Sequence, residues 1–257
     1  MVESTARELS GATAVITGSS TGIGRAIALA LADAGAAVVV HARSSRQAAD
    51  ESAAAALERS GNSCVLMCDL AKPDTHAELV EQAWNWRDGV DIWINNAGVD
   101  VLTGESAGWD FERKLEALWR VDVAATVSLS RAVGARMKAR GRGTIINIGW
   151  DQAAWGMAGD SGELFAATKG AVMAFSGSLA RSLAPEVRVN CVAPGWIKTS
   201  WGEQASDQWQ RRAQGESLLG RWGTPEDVAA VVRFLVAPQA SFITGQTIPV
   251  NGGFKHA

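Results

Sequence analysis

The sequence predicts an α/β protein: a doubly wound parallel sheet of about seven strands, covered by helices on both faces. Short β-branched apolar runs alternate with longer, alanine-rich segments of helical periodicity along the chain. Strands that are apolar at nearly every position are typical of parallel sheets buried on both faces. Such an alternation of strands and helices gives right-handed crossovers between parallel strands.

The predicted elements follow one another in regular order. The strands are predicted at Thr13–Thr17, Ala37–His41, Cys64–Cys68, Ile92–Asn95, Thr144–Ile148, Arg188–Val192 and Thr247–Val250. The helices are predicted at Ile23–Ala34, Arg46–Ser60, Lys72–Trp86, Asp110–Ala139, Gly162–Leu183 and Pro225–Val236. No repeat, low-complexity tract or linker-like change of composition interrupts this series, so we expect residues 1–257 to form a single domain.

Charge and composition narrow the functional classes. The net charge of -3 offers no electrostatic basis for binding nucleic acid or an acidic membrane surface. No apolar run approaches the roughly 18–20 residues that a transmembrane helix needs. The first eight residues also lack the basic and apolar segments of a secretory signal. We therefore expect a cytoplasmic protein whose partner is a small molecule.

Two residue types bear on the chemistry. The three cysteines, Cys64, Cys68 and Cys191, lack the spacing of zinc ligands, so we expect reduced thiols and no metal site. The chain has eleven tryptophans and no tyrosine. Indole rings are large apolar groups with a single donor, and acid–base chemistry by a phenol is ruled out.

A glycine-rich segment follows the first predicted strand and leads into a helix. It runs Thr17-Gly18-Ser19-Ser20-Thr21-Gly22-Ile23-Gly24. Ligands of such sheets bind beyond the carboxyl ends of the strands. Glycines allow a tight turn and close approach of the backbone to a pyrophosphate, and a helix N-terminus favours anionic groups. The segment therefore predicts a phosphate site at Gly18, Ser20, Thr21, Gly22, Ile23 and Gly24.

The spacing TGxxxGIG resembles the cofactor loop of the short-chain dehydrogenase/reductase family, and further motifs occur in that family's order. They are Asp69-Leu70, similar to its adenine-contacting pair; Asn95-Asn96-Ala97-Gly98, which matches its NNAG motif; Pro194-Gly195 with Ile197 and Thr199, similar to its nicotinamide-side loop; and Asn251-Gly252-Gly253, similar to its C-terminal motif. The resemblance covers almost the whole chain. It implies a Rossmann-type fold, a nicotinamide dinucleotide bound by these residues, and a homodimer or homotetramer.

The end of the second predicted strand bears on the choice of cofactor. An acidic residue there accepts hydrogen bonds from a free ribose 2′-hydroxyl and repels a 2′-phosphate. This chain instead has Ala42, Arg43, Ser44 and Ser45. A guanidinium pairs with phosphate through charge-assisted hydrogen bonds. We expect NADP(H) to be favoured over NAD(H); the alternative is that Arg43 is only a solvated loop residue.

The resemblance breaks at the catalytic positions. It implies a tyrosine as acid/base, a lysine four residues later, a serine after the fifth strand and a helix asparagine. Here the YxxxK motif reads Phe165 to Lys169, the serine position falls in 148–152 without any hydroxyl, and the asparagine aligns with Asp122. Phe165 and Lys169 still share a helix face. Of the four groups only Lys169 remains, so the family's usual acid is missing.

Other side chains are candidates to replace the lost groups. Asp151 follows the fifth strand, where a partly buried carboxyl with a raised pKa can act as an acid; alternatively it caps a turn or pairs with an arginine. Asp122 either keeps a relay role or pairs with Lys169. The predicted substrate pocket consists of Trp150, Gln152, Trp155, Trp196 and Trp201. Aromatic faces there stack on a flat or cationic ligand, or else pack a lid onto the domain.

Three functions are compatible with these residues. The first is an NADP(H)-dependent oxidoreductase with a non-standard active site, acting on an imine or iminium, an activated alkene or a carbonyl. The second is a lyase, isomerase or cyclase without net redox chemistry. The third is a redox-silent NADP(H)-binding regulatory protein. Turnover with NADPH, conversion without a change in nicotinamide absorbance, or binding alone separates them.

Overall fold

A computed structural model describes residues 7–199, 202 and 205–255. It contains a seven-stranded sheet of order β3-β2-β1-β4-β5-β6-β7 in which every neighbouring pair is parallel. The strands are β1 (Thr13–Ile16), β2 (Ala37–Ala42), β3 (Ser63–Met67), β4 (Ile92–Asn95), β5 (Gly143–Ile148), β6 (Val187–Pro194) and β7 (Thr247–Val250). The predicted fold class is confirmed.

Helices connect the strands and cover both faces of the sheet. They are α1 (Gly22–Asp33), α2 (Arg46–Ser60), α3 (Thr75–Trp86), α4 (Phe111–Leu118), α5 (Thr126–Arg140), α6 (Asp160–Leu183), α7 (Asp207–Glu216) and α8 (Pro225–Val236). Helix α1 packs against α2 and α8, and α5 packs against α3 and α6. None of the described helices combines the length and the apolar composition needed to cross a bilayer.

One predicted helix is divided in the structure, and one helix of the structure was not predicted. The segment predicted as one helix, Asp110–Ala139, contains α4 and α5 separated by a π-helical turn at Trp119–Ala125. Helix α7 was not predicted, because its sequence is almost entirely polar and only Ala213 is buried. The π-helical turn matters for the site, since it carries Asp122.

The hydrophobic core has one large cluster on each face of the sheet and a third, small cluster of Val101, Leu118 and Leu164. Successive residues of a strand point to opposite faces. Accordingly, Ile16 of β1 packs with Ile27 of α1 in the first cluster, and the neighbouring Val15 packs with Leu129 of α5 in the second. All four residues of β1 are buried. This double burial explains why the strands are continuous apolar runs.

The strand order creates a crevice at the carboxyl ends of β1 and β4. The chain continues from β1 towards β2 on one side and from β4 towards β5 on the other, which is the switch point where ligands bind in open α/β sheets. Asn96, directly after β4, holds the crevice together: its Nδ2 donates to the carbonyl oxygens of Thr17 (3.0 Å) and Gly18 (3.1 Å). The phosphate loop is thereby tied to the neighbouring strand.

Candidate cofactor and substrate site

The glycine-rich loop is possible only because glycines stand at its two tightest points. Gly18 has a φ of +64°, and a Cβ there would lie 2.8 Å from the Cα of Ala97. A Cβ on Gly24 would lie 2.2 Å from the carbonyl oxygen of Gly18. Distances below 3 Å are not tolerated at backbone atoms. The loop therefore needs glycine where the sequence analysis predicted it.

The N-terminus of α1 is open towards the crevice. Thr21 occupies the N-cap position without a side-chain hydrogen bond to the helix, so the first N–H groups are not capped by it. At Gly22 the closest atom to a Cβ would be the Cγ2 of Thr199, 3.9 Å away. Uncapped N–H groups, a helix dipole and free space beside Gly22 fit a pyrophosphate.

A cavity of about 680 Å³ runs along the carboxyl ends of β1, β2 and β4. The predicted cofactor residues that line it are Gly18, Ser20, Thr21, Ile23, Gly24, Arg43, Ser44, Asp69, Leu70, Asn96, Ala97, Gly98 and Thr199. Arg43 is exposed, and among the described residues it makes no ion pair. A guanidinium at this mouth of the cavity fits a phosphate on the adenosine ribose.

Asn95, predicted to bind the cofactor, lies instead in the core. Its Nδ2 donates to Ser130 Oγ and Asn147 Oδ1, both at 2.8 Å, and its Oδ1 accepts from Trp93 Nε1 at 2.8 Å. Because these bonds occupy the amide and the residue lines neither cavity, Asn95 braces β4 against β5 and α5. Of the NNAG motif, the following three residues reach the crevice.

A second cavity, of about 580 Å³, continues from the first. The two share Ile23, Asn96, Gly98, Val99, Asp100 and Thr199, so they form one cleft. The predicted nicotinamide-side residues Pro194, Gly195 and Ile197 line this second part, as does Lys169. A dinucleotide in the first cavity would therefore present its reactive ring to the second.

One face of α6 forms a wall of the second cavity. Ser161, Phe165 and Lys169 are spaced four residues apart, which places them on one helix face, and all three line the cavity. Met157, four residues before Ser161, lies against the start of the helix, where Gly162 leaves no room for a Cβ beside the Met157 carbonyl. The wall thus carries a thioether, a hydroxyl, a phenyl ring and an ammonium.

Lys169 is neutralised by Asp122. The Nζ atom lies 2.9 Å from Asp122 Oδ2, and the side chains are only 13 % and 2 % exposed. The same Nζ donates to the carbonyl of Ile148 at 3.3 Å, and Asp122 Oδ1 accepts from the N–H of Val99 at 3.0 Å. The carboxylate thus holds both the lysine and the loop after β4. Of the two roles considered for Asp122, the ion pair with Lys169 is present.

The remaining walls of the second cavity are aromatic. Trp150 meets Phe165 edge-on at a centroid distance of 6.1 Å, and Trp196 lies 5.4 Å from Trp209 of α7. The indole N–H of Trp196 donates to Glu216 Oε2 at 2.8 Å, which fixes the ring. All four rings line the cavity. Trp150 stands in the segment where the resemblance implies a serine, so an indole replaces a hydroxyl there.

Three predicted residues are not found in this lining, and a fourth is not among the described residues. Trp155 is 68 % exposed and lies outside both cavities. Asp151 and Gln152 begin a short 3-10 helix, Asp151–Ala154, that turns both side chains into the protein interior. Trp201 falls outside the described residues. Because Asp151 and Gln152 are buried away from the cleft, the geometry does not favour the predicted acid role of Asp151.

The carboxyl of Asp151 instead fastens the C-terminal loop. Asn251 Nδ2 donates to Asp151 Oδ2 at 3.0 Å, while Oδ1 has no hydrogen-bond partner among the described residues. Burial raises the pKa of Asp151, and the bond from Asn251 opposes that rise. A Cβ on Gly195 would lie 3.1 Å from Oδ2, so the contact is tight.

Comparison with known proteins shows to which protein family the chain belongs. A family model described as Enoyl-(Acyl carrier protein) reductase matches residues 18–255. The 3-oxoacyl-[acyl-carrier-protein] reductase FabG of Aquifex aeolicus is 35 % identical over 250 residues, which cover 96 % of this chain and 98 % of that protein. A short chain dehydrogenase from Burkholderia cenocepacia in complex with NADP superposes with a TM-score of 0.84 at 30 % identity, covering 96 % of this chain and 98 % of that one. The chain belongs to the short-chain dehydrogenase/reductase family.

The family includes a structural relative with the other nicotinamide cofactor. A 7α-hydroxysteroid dehydrogenase complexed with NADH and 7-oxo glycochenodeoxycholic acid has a TM-score of 0.88 at 28 % identity, covering all of this chain and 99 % of that one. The relatives of this chain are named as dehydrogenases and reductases. The chain is a short-chain dehydrogenase/reductase-family oxidoreductase. The comparisons thus leave the choice between NADP(H) and NAD(H) to the residues of the groove.

Residues of this short-chain dehydrogenase/reductase site that sequence reasoning missed include Ser161, His41 and Trp209. Ser161 lines the second cavity, and its position four residues before Phe165 was the signal that places it on the same helix face. His41 lies under the phosphate loop: its Nδ1 accepts from the N–H of Gly18 at 3.1 Å, and its Nε2 donates to the carbonyl of Cys68 at 3.1 Å. Nothing in the sequence distinguishes His41 from an ordinary strand-end residue.

Proposed function

We propose that this protein is an NADP(H)-dependent oxidoreductase that transfers hydride to or from a small organic substrate without a side-chain phenol as acid. The observation that carries the proposal is the wall of α6, where Phe165 and Lys169 line one cavity and the lysine is paired with Asp122. Residues that resemble the family's cofactor motifs line the cleft, and Phe165 stands where the resemblance implies the proton donor.

The chain's own residues position both partners of the reaction. When bound, the nicotinamide supplies or accepts a hydride. The N–H groups at Gly22 and the start of α1 hold the pyrophosphate. Lys169 is placed to donate to the nicotinamide ribose, and Asp122 fixes its ammonium in that position. Phe165 and the tryptophans exclude water from the substrate, which strengthens electrostatic interactions in the cleft.

The substrates compatible with this cleft are an imine or iminium, an activated alkene or a carbonyl. They differ in how much acid help they need, since a carbonyl must receive a proton at oxygen as hydride arrives. The cleft offers Ser161 as a hydroxyl, and it lacks the serine–tyrosine pair that the family uses for carbonyl oxygen. We therefore expect the best substrates to be those whose reduction needs little help from an acid.

A preference for NADP(H) follows from Arg43 at the mouth of the first cavity. We expect Arg43→Ala to weaken NADPH binding at least about tenfold and to change NADH binding less than twofold, because only NADPH carries the 2′-phosphate. Arg46→Ala is the matched control, since Arg46 lies on the next helix and pairs with Asp50. Equal losses for both cofactors in Arg43→Ala would contradict the preference.

The direct test combines binding with hydride transfer. NADPH and NADH are titrated while tryptophan fluorescence is recorded, and NADPH carrying deuterium at C4 is then incubated with imine, enone and ketone substrates. Deuterium in a product, found by mass spectrometry, supports the proposal. Tight binding without transfer to any substrate class overturns it in favour of a non-redox enzyme or a cofactor sensor. Absence of binding overturns the cofactor assignment as well.

The proposal also includes the oligomeric state of the protein and its organisation as one domain. The resemblance implies a homodimer or homotetramer, and residues 1–257 are expected to form one domain. Exposed apolar side chains near the C-terminal strand, Phe234 and Phe242, support contact with a second copy. Light scattering on the purified protein measures the mass directly; a monomer at micromolar concentration would contradict the assembly.

A further inference from the structure

The geometry points to a planar cation as the substrate of the second cavity: an iminium ion, held by the aromatic rings of Trp150 and Phe165. The inference rests on the proposed hydride transfer and narrows its substrate class. Three observations lead to it: the chemistry of the α6 wall, the charges of the lining and the composition of the remaining walls.

The first observation is that a phenyl ring, Phe165, stands where the resemblance implies the phenol that protonates a carbonyl oxygen. An iminium needs no such proton donor. Its carbon receives a hydride from the reduced cofactor, the electron pair of the C=N π bond becomes the lone pair on nitrogen, and no proton is taken up. The products are a neutral amine and the oxidised cofactor, so charge and electrons balance. A ketone would form an alkoxide beside Phe165, which has no proton to give.

The second observation is the sign of the charges that line the second cavity. Among its described lining residues the charged ones are Lys169, Asp122 and Asp100. Lys169 is already neutralised by Asp122 at 2.9 Å. The exposed Asp100 carboxylate accepts hydrogen bonds from the N–H groups of Leu102 and Thr103 and from the Thr103 hydroxyl. It has no cation as partner among the described residues. The net charge of the lining is therefore negative, which favours a cation and disfavours a carboxylate or phosphate.

The third observation is the aromatic lining itself. Cations are attracted to the faces of tryptophan rings within about 6 Å, most strongly where water is excluded. Trp150 and Phe165 meet edge-on and line a cavity of about 580 Å³. The other ring pair of the lining, Trp196 with Trp209, already has the Arg212 guanidinium 5.7 and 5.0 Å from its ring centroids, so the cation is assigned to the first pair. The cavity volume lies in the range of small-molecule sites. It fits a bicyclic aromatic cation beside a nicotinamide ring.

The binding test uses two inert ligands of the same shape. N,N-dimethyl-tetrahydroisoquinolinium is a permanent cation, and 2,2-dimethyltetralin is its neutral isostere. Calorimetry on the protein saturated with NADP(H) should show at least about tenfold tighter binding of the cation. Equal or tighter binding of the neutral isostere overturns the inference, whether or not the protein transfers hydride.

The turnover test compares two electrophiles on the same bicycle. N-methyl-3,4-dihydroisoquinolinium and 1-tetralone are offered with NADPH. We expect kcat/KM for the iminium to exceed that for the ketone at least about a hundredfold, and to be flat between about pH 6 and 9, because no proton is taken up. A ketone preference overturns the cation inference and leaves the proposed hydride transfer standing. If neither is reduced, the proposed function fails, and the calorimetric comparison alone decides the inference.

Variants locate the site. Trp150→Leu should lower the preference for the cation over the neutral isostere at least about threefold. The control is Trp155→Leu, which removes an exposed indole from the same loop region outside both cavities. A loss in the control equal to that in Trp150→Leu would show that the preference does not come from the cavity, and it would overturn the assignment. Circular dichroism spectra confirm that each variant is folded.

Discussion

The Nζ atom of Lys169 lies 2.9 Å from the Oδ2 atom of Asp122, and both side chains are almost completely removed from solvent. The pair joins α6 to the π-helical turn between α4 and α5. In the family that this chain belongs to, the lysine is expected beside a tyrosine, and here its counter-charge is a carboxylate. The pair is therefore a fixed, charge-neutral element of the cleft wall.

The pair should be strongly coupled in stability. Asp122→Ala leaves the buried ammonium without its counter-charge, and we expect the free energy of unfolding to fall by about 3 kcal/mol or more. The double variant Asp122→Ala/Lys169→Met should recover part of that loss, because no unpaired charge remains. Urea unfolding at pH 7 measures both. Glu116→Ala, which breaks the exposed pair with Arg120, is the control and should cost less than about 1 kcal/mol. Additive losses in the double variant would contradict the coupling.

Phe165→Tyr should restore part of a carbonyl-reducing activity. The phenol would stand on the wall of α6 beside Lys169 and offer a proton to a ketone oxygen, and general acid catalysis contributes about 100- to 10,000-fold. Because the serine position still lacks a hydroxyl, we expect a smaller gain, of at least about tenfold in kcat/KM for 1-tetralone. The iminium rate should change less than threefold. Leu57→Tyr, at an exposed position of α2, should change neither rate. An unchanged ketone rate in a folded Phe165→Tyr variant would show that the ring does not face the reacting atoms.

Much of the fold follows from the hydrophobic pattern. The strands at Ile92–Asn95 and Thr247–Val250 have the predicted bounds, because β-branched residues in short runs between turns leave little ambiguity. Gly18 and Gly24 were equally predictable, since the loop backbone tolerates no Cβ at either position. Strands that are buried on both faces and glycines that sterics require are therefore predicted well from the sequence.

The direction of individual side chains was harder to predict. Asp151 follows β5, as a site residue should, but the chain turns there into a 3-10 helix and the carboxyl is buried against Asn251. The π-helical turn at Trp119–Ala125 contains neither proline nor glycine that would mark it, although it brings Asp122 to Lys169. Both features depend on packing between distant segments, which local periodicity does not record.

His41 should make the protein less stable as the pH falls. Burial lowers the pKa of His41 from 6.5 to about 4, while its imidazole accepts from Gly18 and donates to Cys68. Between these two values the unfolded chain binds a proton that the folded chain does not. The contribution of His41 to the free energy of unfolding is therefore fully present above about pH 6.5. It is lost as the pH falls towards 4, by an amount on the order of 3 kcal/mol.

The variant His41→Gln isolates this contribution. Unfolding free energies of both proteins are measured by urea from about pH 7.5 to 4.5, and the difference between them should shrink towards low pH, since glutamine does not titrate. NADPH binding reports on the loop, because His41 holds Gly18. Parallel stability curves for the two proteins would show that the imidazole does not stay neutral in the folded state.

Asp151→Asn separates a structural carboxyl from a catalytic one. Burial raises the pKa of Asp151 above its ordinary value of 3.8, so the folded protein takes up this proton at a higher pH than the unfolded chain does. The wild type should therefore gain stability relative to the variant as the pH falls through the raised pKa. At pH 7 the asparagine removes a buried charge and still offers an oxygen to Asn251, so the free energy of unfolding should stay within about 1 kcal/mol or rise.

The value of kcat of the Asp151→Asn variant should stay within about twofold of the wild-type value, because the carboxyl lies outside the cleft. An acid that protonates the substrate would instead be worth about a hundredfold or more. Turnover of the iminium and of the ketone by both proteins, measured beside urea unfolding, decides between the two roles. A loss of about a hundredfold at unchanged stability would show that Asp151 acts in the reaction, and it would require the 3-10 helix to open.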